Sequence, residues 1–110
     1  MPIKLMAFLK ATPGMDRSRF ARYYEEKHAP LILEIMPAII DYRRNYLPQS
    51  VAGFDVITEI WFEDRASFDA AMAVATAHPA SELIASDEAN FLDRAATVVV
   101  LPEEHGGPTA

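Results

Sequence analysis

The chain contains no cysteine. That excludes a disulfide, a thiolate nucleophile and a thiolate-ligated metal, and it fits a reducing cytoplasm. Glycine is scarce, with 4 in 110 residues, and none falls in a GxGxxG or GxxxxGK[ST] run. Dinucleotide fingerprints and phosphate-cradling loops are therefore missing, as is a GxSxG nucleophile elbow. His28, His78 and His105 lie far apart with no HxxxH pair, so no metal site is expected. Cations are short too: 10 Lys and Arg against 16 Asp and Glu give a net charge of -6. Such a balance repels nucleic acid and anionic lipid, and the small groupings Arg17/Arg19/Arg22 and Arg43-Arg44 do not reverse it. Met1-Pro2 leads directly into a strand-like run without a basic n-region and long apolar segment, so no export signal or membrane anchor is expected and the location implied is cytoplasmic.

What remains is an ordinary globular composition, 51% apolar and 24% charged. A chain of this size makes one domain that buries roughly 65% of its extended surface. The domain is expected over residues 1–102, followed by a loose Gly- and Pro-rich tail over 103–110.

The chain is organised around Tyr23-Tyr24-Glu25-Glu26-Lys27-His28-Ala29-Pro30-Leu31. A helix is predicted to start at Asp16, whose carboxylate can cap the first turn after the helix-averse Thr12-Pro13-Gly14. At about 100° per residue, Phe20, Tyr24, His28 and Leu31 share one inward sector, with Tyr23 at its edge. Pro30 has no N–H for the carbonyl of Glu26 and disfavours helical dihedrals at Ala29, which predicts a break or kink near His28. An inward imidazole at a helix end suits a general acid or base. A packed histidine bonded to a backbone carbonyl satisfies the same pattern.

Strands are predicted over 3–10, 39–47, 55–62 and 95–101. A second helix should run from an Asp64 cap to a stop near His78-Pro79. Residues 80–85 read as a turn, and 86–92 as one or two helical turns with Asp87 and Glu88 at the positive end. The order strand, helix, strand, strand, helix, strand is the split βαβ pattern, an α+β fold with a four-stranded antiparallel sheet and helices on one face. Strands one, three and four are nevertheless apolar on both faces. The uncovered face needs a partner, and a second copy packed sheet to sheet under a two-fold axis is the simplest: a homodimer is expected.

Lys4-Leu5-Met6-Ala7-Phe8-Leu9-Lys10, Pro13-Gly14-Met15, Phe20, the Tyr23 to Leu31 stretch, Phe54-Asp55, Thr58-Glu59-Ile60-Trp61-Phe62 and Asp87-Glu88-Ala89-Asn90-Phe91-Leu92-Asp93 together resemble the EthD family of dimeric α/β-barrel proteins. The resemblance spans about residues 3 to 101. It implies a ferredoxin-like βαββαβ protomer, a sheet-on-sheet dimer and a pocket in each protomer between sheet and helices. The family histidine carries over onto His28, and its acidic helix start onto Asp87 and Glu88. Fungal relatives look like dehydratases or cyclases of polyketide intermediates, and proteins sharing only the fold include cofactor-free monooxygenases, lactone isomerases and haem proteins. A shared fold does not bring a shared reaction with it.

The candidate catalytic residues are His28, Asp87 and Glu88. One carboxylate would orient or protonate the imidazole, unless both merely oppose a helix dipole. Phe8, Tyr23, Tyr24, Trp61 and Phe91 are candidate walls for a flat aromatic ligand, and also ordinary core. Glu59 is the oddest residue of the sheet, because a bare buried carboxylate costs several kcal/mol. Either Arg43 pairs with it across the strands or it lines the pocket and handles substrate protons. The functional expectation is a small enzyme without an obligatory cofactor or metal. It would perform acid–base lyase, cyclase or isomerase chemistry on a hydrophobic aromatic or polyketide-like molecule in catabolic or secondary metabolism. The alternatives are an oxygenase or accessory oxidoreductase protein, and a dimer that binds a small ligand without turnover.

Overall fold

The computed structural model describes residues 1–107. Strands β1 (Ile3–Leu9) and β3 (Phe54–Phe62) alternate along their length. Ala7, Leu9, Val56, Thr58, Ile60 and Phe62 are buried, while the residues between them are half-exposed. That period of two places one set under the helices and turns the other away. With β2 (Ile39–Val51) and β4 (Val98–Val100) they form an antiparallel sheet in the order β2-β3-β1-β4, the ferredoxin-like arrangement. The layer between sheet and helices holds two apolar clusters. One is built on Leu9, Phe20, Tyr24, Val56, Phe91 and Leu92, the other on Ile32, Met36, Ile60, Phe62 and Phe68.

Two aspartates open the helices as the sequence predicts. Asp16 accepts from the Arg19 amide at 3.2 Å to start α1 (Arg17–Tyr23), and Asp64 accepts from the Ser67 amide at 2.8 Å to start α3 (Arg65–Ala75).

The break or kink predicted near His28 is not a stop. The chain widens instead into a π-helical turn (Tyr24–His28), in which the Ala29 amide reaches back five residues to the Tyr24 carbonyl, and continues as α2 (Ala29–Ile35) with Ala29 in helical dihedrals. The wide turn absorbs Pro30, and it also resets the inward face: Ile32 is buried and Leu31 only half-buried.

The predicted turn over 80–85 is the first half of a helix, α4 (Ala80–Glu88). Pro79 fixes φ just before a run of good helix formers, so it opens a helix as readily as it closes one. β2 runs on past the predicted end at Leu47 to Val51. A register shift lies between Tyr46 and Val51, and Ala52 and Gly53, both at positive φ, make the hairpin turn. β4 is shorter than predicted, because Arg94–Ala96 is a 3-10 turn. Of the predicted tail, Glu104 folds back to bond Lys4 at 2.8 Å, and residues 108–110 lie outside the described residues.

Candidate functional site

The extension of α4 moves Asp87 and Glu88 from a helix start to a helix C-terminus. Free carbonyls there disfavour negative charge, so the capping explanation for these acids no longer holds. Asp87 has other partners. Its Oδ1 accepts the Tyr23 hydroxyl at 2.7 Å and its Oδ2 lies 2.7 Å from His28 Nδ1. Asn90 Nδ2 donates to the same Tyr23 hydroxyl at 2.9 Å. Burial first, and then the carboxylate it donates to, hold the Tyr23 phenol above its ordinary range, so it remains a donor at neutral pH.

A carboxylate only accepts, so the short contact places a proton on Nδ1 and leaves Nε2 with its lone pair when the ring is neutral. His28 is 4% exposed. Its ring meets Phe91 at 4.9 Å and the edge of Tyr24 at 5.3 Å, so the imidazole cannot swing freely. Nε2 faces Glu88, whose Oε2 stands 4.0 Å away, beyond hydrogen-bond reach. The other oxygen of Glu88 accepts from Arg94 Nε at 3.1 Å.

Beneath the helix the Tyr24 hydroxyl meets Thr58 Oγ1 at 2.7 Å and the Tyr42 hydroxyl at 2.9 Å. Burial pushes both phenols up, so this chain too is neutral. Beyond it, Glu25 takes Arg44 Nε at 2.9 Å and the Tyr46 hydroxyl at 2.6 Å.

Of the predicted site residues, His28, Asp87, Glu88, Tyr24 and Phe91 come together. Phe8, Glu59 and Trp61 do not join them: their strand positions face the opposite side of the sheet. Arg43 stands across from Glu59 as the register argument predicts, but its guanidinium turns to Asp41 at 2.8 Å. Glu59 is held instead by Lys4 Nζ at 2.8 Å and Asn45 Nδ2 at 3.1 Å. Lys4 is its cross-strand diagonal neighbour, and Asp41 lies two residues from Arg43 on the same face; both contacts are as near as the expected pair.

The pocket expected between sheet and helices is not open at His28, because Tyr24 and Phe91 pack against the ring. A cavity of about 290 Å³ lies further along α1, between Arg17, Phe20, Tyr46, Ser50 and Asp55. A second, open hollow of about 570 Å³ is lined by Glu88, Arg94, Ala95, Thr97 and Val99. Glu88 separates that hollow from Nε2. Among the described residues no cluster of three or more His, Asp or Glu has the arrangement of a metal site, and no helix is long and apolar enough to cross a membrane.

Asn90 and Arg94 were not among the predicted site residues, and Tyr23 was expected as a pocket wall rather than as a partner of Asp87. The available signals were small: Tyr23 at the edge of the inward stripe, and Asn90 one helical turn beyond Asp87.

The fold is shared widely. An EthD-family protein of Bacillus halodurans superposes with a TM-score of 0.67 at 23% identity, covering 96% of this chain and 100% of that one. An EthD-like protein of Ralstonia eutropha does so with a TM-score of 0.63 at 23% identity, covering 92% and 87%. SnoaB of Streptomyces nogalater, a cofactor-independent oxygenase, reaches a TM-score of 0.67 at only 9% identity, covering 96% and 95%. No curated protein matches the chain in sequence. The EthD domain profile matches residues 12–95, a span that holds the π-turn, His28, Asp87 and Glu88, and the chain belongs to the EthD family.

Proposed function

We propose that this protein is a cofactor-independent acid–base enzyme in which His28 is the general base, acting on a small hydrophobic aromatic or polyketide-like carbonyl compound. The observation that carries the reading is the fixed imidazole: buried, clamped between aromatic rings, and held by Asp87 in the tautomer that aims a lone pair at the hollow side. Asp87 is a positioning residue that also stabilises the imidazolium once formed, and Tyr23 and Asn90 hold Asp87 in turn. Nε2 takes a proton from the carbon beside the carbonyl. The C–H electron pair becomes a C=C bond and the carbonyl π pair moves to oxygen. Returning that proton to a departing hydroxyl, or to another carbon, completes a dehydration or an isomerisation; attack of the enolate on a second carbonyl closes a ring. Glu88 can relay the proton between Nε2 and the hollow once the two close up from 4.0 Å.

A second reading has one specific support. SnoaB, of the same fold, is described as a cofactor-independent oxygenase. On this reading, deprotonation by His28 would prepare an electron-rich substrate to reduce dioxygen. We further propose a homodimer joined through the uncovered sheet face, where Met6, Phe8, Ile57 and Trp61 are only half-buried in a single copy. A protein of this fold from Bacteroides fragilis, with a TM-score of 0.58, is described as dimeric.

A thermal-shift screen of aromatic ketones and polyphenols identifies the ligand class, since a ligand at 100 times its Kd adds about 2.7 kcal/mol of stability. With a hit in hand, His28→Gln should abolish turnover while sedimentation still shows the wild-type assembly. A variant that keeps its turnover, or one that fails to assemble, counts against the general-base role and marks His28 as a packing residue.

A further inference from the structure

The hollow on the far side of Glu88 from Nε2 has a chemical character of its own. Its lining includes two apolar side chains beside the polar Thr97: Ala95, and Val99, which is 54% exposed and sits opposite Ala7 on the helix side of the sheet. Its rim carries one cation, Arg94. Among the described residues that guanidinium bonds Glu88 through Nε alone, and the side chain is 55% exposed, so its two terminal nitrogens are free to donate. The charges nearest Nε2 are otherwise negative, Asp87 at Nδ1 and Glu88 at 4.0 Å, within a chain of net charge -6. A ligand that arrives as an anion meets repulsion there. One that is neutral on arrival and gains charge only at its oxygen meets Arg94.

We propose that Arg94 is the oxyanion-binding residue of this site, and that the substrate class is a neutral, enolisable aryl ketone rather than a free acid. The inference rests on His28 being the base. As the α-proton passes through the Glu88 carboxylate to Nε2, the negative charge left on the carbonyl oxygen is taken by the terminal N–H groups of Arg94, whose Nε is bonded to the other oxygen of Glu88. The aryl ring lies on Val99 and Ala95. An oxyanion donor of this kind acts on the transition state more than on the bound substrate, so its loss lowers kcat rather than raising KM.

The test uses 2-acetylnaphthalene and its charged analogue 6-acetyl-2-naphthoate, with exchange of the methyl protons for deuterium in D2O followed by NMR. The full-length protein is compared with His28→Gln, Arg94→Ala and Arg94→Lys. The expected result is exchange of the ketone by the wild type and none above background with His28→Gln. Arg94→Ala should lose about 100-fold in kcat with KM within about threefold, Arg94→Lys should recover part of it, and the naphthoate should exchange at least tenfold more slowly than the ketone. If Arg94→Ala keeps wild-type kcat, or only KM changes, while His28→Gln is inactive, the oxyanion role falls and the base stands. A naphthoate exchanged as fast as the ketone overturns the substrate class. Wild-type protein that exchanges neither compound faster than His28→Gln overturns the base and this inference together.

Discussion

Asp87 and Glu59 are both carboxylates drawn partly out of water, with side chains 16% and 23% exposed, on opposite sides of one sheet. Their partners differ in kind. Glu59 is neutralised by the Lys4 cation, which also lies 4.8 Å over the Trp61 ring. The ammonium pulls the Glu59 carboxyl below its usual range against the opposing effect of burial. Among the described residues Asp87 bonds no lysine or arginine; its oxygens take a phenol and an imidazole. A carboxylate saturated by a cation has finished its work when the fold forms. One held by a phenol and an imidazole would be able to stabilise an imidazolium, if His28 is the base.

Replacing each acid by its amide sharpens that contrast. Asp87→Asn leaves the size of the group unchanged but can present an N–H toward Nδ1, favouring the wrong tautomer. If His28 is the base, turnover should fall about 10³- to 10⁴-fold, some 4 to 5 kcal/mol of transition-state stabilisation, by analogy with the serine-protease aspartate. Steady-state kinetics on the ligand found by screening reads this directly. A loss under tenfold would place Asp87 among ordinary structural acids.

The aromatic pair Phe91 and Trp61 makes the same comparison in packing. Phe91 is fully buried against Phe20, Tyr23, Tyr24 and His28. Phe91→Ala should cost about 3 to 5 kcal/mol in urea unfolding, since the loss of a large buried ring leaves a cavity. Trp61 is half-buried on the face the helices do not cover. Trp61→Asp should leave protomer folding nearly unchanged and weaken the proposed homodimer by about 2 to 4 kcal/mol, read as a 30- to 1000-fold rise in the sedimentation dissociation constant. Equal losses at both positions would mean that the two faces are not built differently.

Much of the architecture was legible because local rules and tertiary packing agree: the period-two strands, the Asp16 and Asp64 caps, and the apolar second face of the sheet. Three readings were incomplete for a common reason. Pro30 was expected to break or kink the helix near His28, and a π-helical turn there accommodates it while the helix runs on. The helix stop before His78-Pro79 occurs, but residues 80–85, expected to be a turn, open α4 after Pro79. Arg43 stands where the register puts it, yet a guanidinium chooses among every acid within reach and takes Asp41. In each case the sequence restricts a residue without naming its partner. The site depended on partners most of all: Tyr23 and Asp87 are 64 residues apart, a separation that no periodicity reveals.

The amide at Glu59 is the smallest effect and the one most sensitive to pH. A carboxyl lowered by folding stabilises the native state fully above its unfolded range, near 4.3, and loses that contribution as pH falls through the lower folded value. Glu59→Gln should therefore cost under about 1 kcal/mol at pH 7, as partly exposed pairs do, and should flatten the acid limb of the stability curve below about pH 4. The cost stays small because Lys4 is not stranded: Glu104 still holds its ammonium at 2.8 Å. Truncating the chain after Leu101 in the Glu59→Gln background removes that second partner and leaves a lysine whose side chain is 9% exposed without an acid. The double change should then cost more than the two single changes added together. Strict additivity across the pH range would show that the two acids do not share the cation in solution.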